Sequence, residues 1–392
     1  MKFAHFADCH IGGWRDERLK ELSIQSFEKA VEVCIKENTA FVLIAGDLFN
    51  NALPSIDVLK RAANALNKLR EHDIAVYCIA GSHDYSVSGK TILEVLENAG
   101  LIEDVAKFQD NKLRFTIDKT NTKITGIMGL KGSLEYSYYN NLNRKELEQE
   151  SGFKIFMFHT TIDEYKPKEF ENISGLNLNK LPKGFNYYAG GHVHYILERD
   201  YDKGKLVYPG PLFPNNFSEL EEYKNGGFYL VDVNHNAHDN NHDLDLKYVK
   251  IKLKDVKVFS INAENKNIEY VEKEIGKIDD FEDKIILLRI YGCLKEGKIS
   301  DINLRGLTDK FKDAYAVLKN TSKLTSKEFE EIYIEDDVNI EENMINNLED
   351  TGFNEIITSL VEALNKEKYE DEKNVDFEKR VLRDVLEILR IK

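Results

Sequence analysis

The chain has no apolar stretch long enough to cross a membrane; its strand-like apolar runs, such as Phe41–Ala45, are short. No membrane partner is expected. Cysteine is scarce: the 4 residues Cys9, Cys34, Cys78 and Cys293 show no paired spacing and no Cys-x-x-Cys. That excludes a zinc ribbon and fits a reduced cytosol. Only 6 prolines occur, all between Pro54 and Pro214, three of them in the turn-rich stretch 208–214. No basic region followed by a long apolar core precedes the first strand, so no secretory signal is expected and a cytoplasmic location is. Positive charge is not in excess either. The net charge of -15 and pI near 5.3 weigh against broad electrostatic binding to nucleic acid. Binding to DNA stays possible only if bound metal ions and a local basic face offset the global sum.

What remains is the composition of a folded soluble protein, 42% hydrophobic and 31% charged over 392 residues, without low-complexity tracts. That length suits two or three domains. The opening segment Lys2–Ile11 reads as an apolar strand that ends in Asp8-Cys9-His10. In extended chain, side chains alternate faces, so positions 8 and 10 should point the same way. A helix with Ser23 as N-cap follows to Ile35, and then the strand Phe41–Ala45 leading into Gly46-Asp47. A helix from about Ser55 to Glu71 and a strand from Ile74 to Ala80 lead into Gly81-Ser82-His83-Asp84. Strand, helix and strand with continuous apolar strands describe βαβ units around a buried sheet.

A helix near Thr91–Ala99, strand pieces at Leu113–Ile117 and Ile124–Met128, and a polar, tyrosine-rich stretch at Glu135–Glu150 come next. The strand Lys154–Phe158 ends in His159, and Tyr187–Ala189 leads to His192-Val193-His194. Gly227–Asp232 reads as the closing strand of a first domain, 1–240, with Asn234–Asp243 as a linker. From Leu246 the texture changes to shorter alternating strands, and a smaller α/β domain is expected over 245–325, with helix candidates at Asn267–Ile275 and Arg305–Ala316. An acidic linker, 326–350, and a helical tail, 351–392, follow; Phe377, Val381, Val385 and Ile388 share one face of the last helix.

Asp8, His10, Asp47, His83, His159, His192 and His194 thus fall in order, each at or beside a strand end, where open α/β sheets place their sites. Taken singly, each has a plainer reading as a turn cap or a hydrogen-bonded core histidine. Together they could hold two divalent ions that share one bridging aspartate and clamp a phosphoester. Mixed His/Asp ligation suits Mn, Fe or Zn better than Mg.

These motifs resemble the calcineurin-like metallophosphoesterases, and within them the SbcD- and Mre11-type nucleases of DNA double-strand-break repair. The resemblance implies an α/β fold: a β-sandwich flanked by helices, then a smaller α/β cap that binds DNA, then a helical tail. It implies that Asp8, His10, Asp47 and His194 hold one ion, and that Asp47, Ser82, His159 and His192 hold the other, with Mn2+ as the natural cofactor. His83 matches the histidine that stabilises the transition state or protonates the leaving oxygen, with Asp84 orienting its ring. Implied partners are DNA ends and single strands, a second copy of the chain through the helices after Pro54 and Ser88, and an SMC-like ATPase of the SbcC or Rad50 type on the final helices. The sequence departs from the pattern twice. Ser82 stands where an asparagine ligand is usual, and Asn50 stands where many relatives carry a histidine linked to exonuclease activity. A small-substrate phosphodiesterase and a non-catalytic binding scaffold are the competing readings; the extra domain argues against the first and the filled ligand positions against the second.

Overall fold

The computed structural model describes residues 1–85, 91–167, 175–235, 242–302, 310–327 and residues 380, 382 and 383. Four strands, β1 (Lys2–Phe6), β2 (Phe41–Ala45), β3 (Ala75–Ile79) and the short β4 (Glu103–Asp104), form the parallel part of a six-stranded sheet. Three helices connect them: α1 (Glu17–Lys36), α2 (Ile56–Glu71) and α3 (Ile92–Asn98). The hairpin β5 (Phe108–Gln109) and β6 (Lys112–Leu113) leads to a second six-stranded sheet. That sheet is built from β7 (Thr116–Ile117), β8 (Lys123–Ile127), β9 (Lys154–His159), β10 (Tyr187–Gly191), β11 (Leu197–Tyr201) and β12 (Gly204–Tyr208), in the order β11-β12-β10-β9-β8-β7. Helices α4 (Tyr136–Asn140) and α5 (Arg144–Gln149) precede β9, and α6 (Phe217–Tyr223) follows β12. The chain then returns to the first sheet through β13 (Gly227–His235) and β14 (His242–Lys250), completing the order β14-β13-β1-β2-β3-β4.

The two sheets pack face to face because their strands are apolar on both sides. Phe3, Phe41, Leu43 and Ile79 of one sheet meet Ile155, Met157, Tyr187 and Val207 of the other. Each such fully buried side chain contributes roughly 1.5–3 kcal/mol relative to exposure. The opposite face of the first sheet is covered by the apolar stripes of α1, α2 and α3, including Phe27, Val31, Leu66, Leu69 and Leu93. Tyr139 and Leu147, from α4 and α5, cover Phe156, Phe158 and Tyr188 on the outer face of the second. This is the helix-flanked β-sandwich that the resemblance implies.

Three sequence-based expectations need correction here. α1 begins at Glu17, not after a cap at Ser23, because the Asp16 side chain accepts from the backbone of Arg18 and Leu19 and caps the helix about two turns earlier. Ser23 is inside the helix, its hydroxyl donating to Lys20 O. The segment 234–243 is not a linker after the first domain. β14 pairs antiparallel with β13 along its whole length, from Gly227↔Lys250 to His235↔His242, so the boundary lies after Lys250. β14 is the edge strand of the first sheet and not the start of a new domain. Third, Leu113–Ile117 is not one strand, since Lys112–Leu113 pairs in the hairpin and Thr116–Ile117 in the second sheet.

Beyond Ile251 a three-stranded parallel sheet forms from β15 (Val256–Asn262), β16 (Ile285–Leu294) and β17 (Ala316–Ser326), with β16 central and α7 (Ile268–Gly276) connecting β15 to β16. Of the Arg305–Ala316 helix candidate, residues 305–309 lie outside the described residues, Lys310 is helical, 311–315 is turn and bend, and Ala316 begins β17. This small domain has its own core, including Val271, Ile275, Ile286, Leu288 and Ile290. Leu287 and Ala316 pack on Leu19, Leu22, Phe213 and Leu220 of the first domain. Arg18 donates to the carbonyls of Ala314 and Tyr315, adding polar contacts to the same junction. The acidic stretch 328–350 and all of the tail helix except residues 380, 382 and 383 lie outside the described residues.

Candidate metal centre

Five parallel strands from the two sheets, β1, β2, β3, β9 and β10, send their carboxyl ends to one place. There the structure brings together Asp8, His10, Asp47, His83, His159 and His194. One ligand-type atom from each lies within 4.8 Å of the others in three overlapping sets: Asp8 with His10 and His194, His10 with Asp47 and His83, and Asp8 with Asp47 and His159. Asp8, His10 and Asp47 each belong to two sets and so link the three.

Strand alternation is not what aims Asp8 and His10 inward. β1 stops at Phe6, and Asp8 (φ 48) and His10 (φ 41) both adopt the left-handed region, as do Asp47 (φ 50) and His192 (φ 89). Each such residue costs on the order of 1–3 kcal/mol and persists only where its surroundings hold it. Here they do: Asp8 N and His10 N donate to Gly46 O and Asp47 O, while His192 N donates to both Asp8 oxygens at 2.9 and 3.1 Å. Gly46 (φ +86) is obligatory for a second reason. A Cβ there would stand 2.1 Å from His159 Nδ1.

The hydrogen bonds of the ring nitrogens decide which atom each imidazole offers. His159 Nδ1 is 2.8 Å from Ala45 O and must donate to it, leaving Nε2 with a lone pair. His83 Nδ1 donates to Asn50 O at 2.9 Å, and His194 Nδ1 to Glu219 Oε1 at 2.8 Å. The freed atoms then confront one another. His159 Nε2 is buried, makes no well-formed hydrogen bond and lies 3.3 Å from Asp47 Oδ2. His10 Nε2 and His194 Nε2 are 3.2 Å apart. A lone pair on His159 Nε2 facing the Asp47 carboxylate at this range calls for a proton or a cation between them, and the His10–His194 pair is bridged by a ring hydrogen on one Nε2 or by a cation.

The electrostatics agree. Burial raises the Asp8 carboxyl to about 6, opposed by His159 and His194. Burial works against charge on Asp47 as well, but His159 and His10 outweigh it and hold that carboxyl below the usual range. Burial disfavours a charged His159, yet Asp47 and Asp8 raise it to about 10. His194 is likewise raised to about 9, burial being outweighed by Glu219 and Asp8. His10, with less compensation, is pushed by burial down to about 3. The two buried carboxylates thus favour positive charge beside His159 and His194, as a cation would supply, and the donor set fits two divalent ions.

Of the remaining sequence candidates, His192 packs its ring against His159, centroids 5.2 Å apart, but falls outside the three tight donor sets. Ser82 is half-buried in the turn after β3. The expected role of Asp84 is corrected. Its fully buried carboxylate does not orient the His83 ring, which Asn50 O holds instead. It accepts from the backbone of Gly81, Phe49 and Leu48, tying the turn after β3 to the loop after β2, and burial together with Asp47 raises it to about 7. Sequence reasoning missed Glu219. The spacing Asn216-x-x-Glu219 is a helix-start signal, and Asn216 does cap α6, but nothing local links that helix to His194. Beside His194 opens a cleft of about 430 Å³, lined by Pro167, Tyr195, Asn216, Ser218, Glu219, Glu222 and Tyr223.

A two-sheet sandwich with carboxylates and imidazoles at the strand ends defines a metallophosphoesterase, and the calcineurin-like phosphoesterase family matches residues 1–195. The DNA double-strand break repair protein Mre11 of Methanocaldococcus jannaschii is 32% identical over 315 residues, 73% of this chain and 81% of that protein. With these observations the chain belongs to the Mre11 family. The Mre11 protein of Archaeoglobus fulgidus is 26% identical over 312 residues, covering 72% of this chain and 66% of that one. An uncharacterized metallophosphoesterase of Bacillus subtilis, YhaO, is 26% identical over 249 residues, 59% of this chain and 57% of that one. Among the described residues no helix is long and apolar enough to cross a membrane.

Proposed function

We propose that the chain is a metal-dependent DNA nuclease of double-strand-break repair, hydrolysing phosphodiesters as a 3'-5' exonuclease and single-strand endonuclease. The observation that carries this reading is the convergence of carboxylates and imidazoles in three overlapping donor sets, with His159 Nε2 buried without a hydrogen bond 3.3 Å from Asp47 Oδ2. In the proposed assignment Asp8, His10, Asp47 and His194 hold one divalent ion, and Asp47, Ser82, His159 and His192 the other, most naturally Mn2+. Ions held by these residues would supply positive charge for the phosphoryl oxygens and would lower the pKa of a bound water.

The remaining work belongs to the side chains. His83 is exposed, and with Nδ1–H held by Asn50 O its Nε2 is the free nitrogen, which in the imidazolium form can give a proton to the leaving oxygen. Asp84 acts at a distance by holding the two loops that carry Asp47 and His83 in register. The cap supplies the DNA-facing surface, the final helices bind an SMC-like ATPase, and two copies associate through α2 and α3, where Leu53, Ile56 and Val95 are exposed. The test is cleavage of labelled single-stranded and blunt duplex DNA with Mn2+, with Mg2+ and with chelator, on wild type and His83→Ala, bound metal being counted in both. Mn2+-dependent cleavage that His83→Ala loses while keeping its metal is the expected result. Two bound ions with hydrolysis of a small phosphodiester but of no DNA would replace this reading with a small-substrate phosphodiesterase. Absence of both metal and activity would leave a binding scaffold.

A further inference from the structure

We propose that Glu219 is a positioning residue for His194, selecting which ring nitrogen faces the metal centre; this rests on reading His194 as a metal ligand. Glu219 lies 25 residues beyond His194, in α6. Its Oε1 is 2.8 Å from His194 Nδ1, its Oε2 accepts from Asn215 N at 2.7 Å, and its side chain is 13% exposed. A carboxylate only accepts, so Nδ1 carries the hydrogen, and a neutral ring then keeps its lone pair on Nε2. That is the atom 3.2 Å from His10 Nε2 and 4.0 Å from Asp8 Oδ1. Partners of this kind hold ring orientation and tautomer in metal sites.

The helix that carries Glu219 is itself fastened. Asn216 Oδ1 accepts from Glu219 N at 3.0 Å at the start of α6. On the far side, Arg289 of the cap's central strand grips Glu221 through contacts of 2.9 and 2.5 Å and lies 5.0 Å above the Phe217 ring. The carboxylate is therefore fixed from both domains and cannot drift away from His194.

Glu219→Gln tests this with little change of shape. Both oxygens of Glu219 accept in the wild type, Oε1 from His194 Nδ1 and Asn216 Nδ2 and Oε2 from Asn215 N, so the amide nitrogen of Gln must face a donor at one end or the other. Facing His194 it favours hydrogen on Nε2, which then cannot ligate; facing Asn215 N it pushes the side chain off its seat and loosens the ring. Mn2+ is titrated into the full chain and bound ions are followed by electron paramagnetic resonance. Ring 15N shifts of His194 are read in Zn2+-loaded wild type. We expect hydrogen on Nδ1 in wild type, and in Glu219→Gln an affinity about 10–100-fold lower for one ion with the other unchanged. Two ions bound to Glu219→Gln with wild-type affinity would overturn the positioning role while leaving the metal centre intact. So would ligation of wild-type His194 through Nδ1, a result that stands even if the variant does not fold. Wild type that takes up no ion would remove the metal reading and this inference with it.

Discussion

Replacing Gly46 by alanine separates two costs that usually come together. The backbone there has φ +86, which costs an L-residue about 1–2 kcal/mol. The added Cβ would also lie 2.1 Å from Nδ1 and 2.6 Å from Cγ of His159. The ring must retreat by on the order of 1 Å, a misplacement that can cost ~10²-fold in rate. Retreat breaks the 2.8 Å bond from Nδ1 to Ala45 O inside the core, a further ~1–3 kcal/mol for the buried group left unpaired. Gly152 is the natural control, because its φ is +90 and an added Cβ would meet nothing within 4 Å. Gly46→Ala should therefore lose about 2–5 kcal/mol in urea titrations and Gly152→Ala only about 1–2. Bound metal and phosphodiester cleavage should fall in the first variant alone. Equal losses of stability in the two, or wild-type metal content in Gly46→Ala, would refute the claim that this glycine exists to seat His159.

Other perturbations reach the rest of the molecule. His5 is fully buried against Tyr187 OH at 2.9 Å, and burial lowers it to about 3 from an ordinary 6.5. Between those values the unfolded chain binds a proton that the folded chain does not, so this contribution is intact above pH 6.5 and is lost as pH falls. The loss should reach ~2 kcal/mol at pH 5. His5→Phe should remove that part of the acid sensitivity, and unfolding midpoints at pH 7.5 and 5.0 that shift equally in both proteins would contradict it. Arg289→Gln cuts a partly buried paired contact to Glu221 and should weaken docking of the small domain by about 1 kcal/mol. Faster hydrogen exchange in β16 would report it, and unchanged exchange would count against the pair. Divalent ions at 100 times their dissociation constant should stabilise the fold by about 2.7 kcal/mol per site. Chelation should reverse the gain, and a melting temperature indifferent to both would speak against a resident metal.

Much of the first domain was legible because its signals are local. Continuous apolar runs mark β2, β3 and β9, Ser55 and Thr91 stand at the N-cap positions of α2 and α3, and Thr91 caps its helix by accepting from Leu93 N. The failures have a common origin. α1 starts at Asp16 because that carboxylate reaches two backbone donors, a competition that apolar periodicity does not register. β14 joins the first sheet because β13 offers it a complete antiparallel edge, and pairing of that kind is not written in either strand alone. Asp84 looked like the partner of the histidine beside it, yet its hydrogen bonds run to backbone 35 and 36 residues away.

By itself the sequence determined the inventory of the site: two carboxylates and the imidazoles, each delivered just after an apolar strand and hence to one end of a sheet. It did so because burial of such strands depends only on their own residues. The tertiary structure alone decided how those groups act. Left-handed turns at Asp8, His10 and Asp47 aim the side chains, and the second sheet brings His194 to within 3.2 Å of His10 across 184 residues of chain. Carbonyls of Ala45 and Asn50 and the carboxylate of Glu219 then choose which nitrogen of each ring is free. Those choices depend on hydrogen-bond partners that only folding brings within reach.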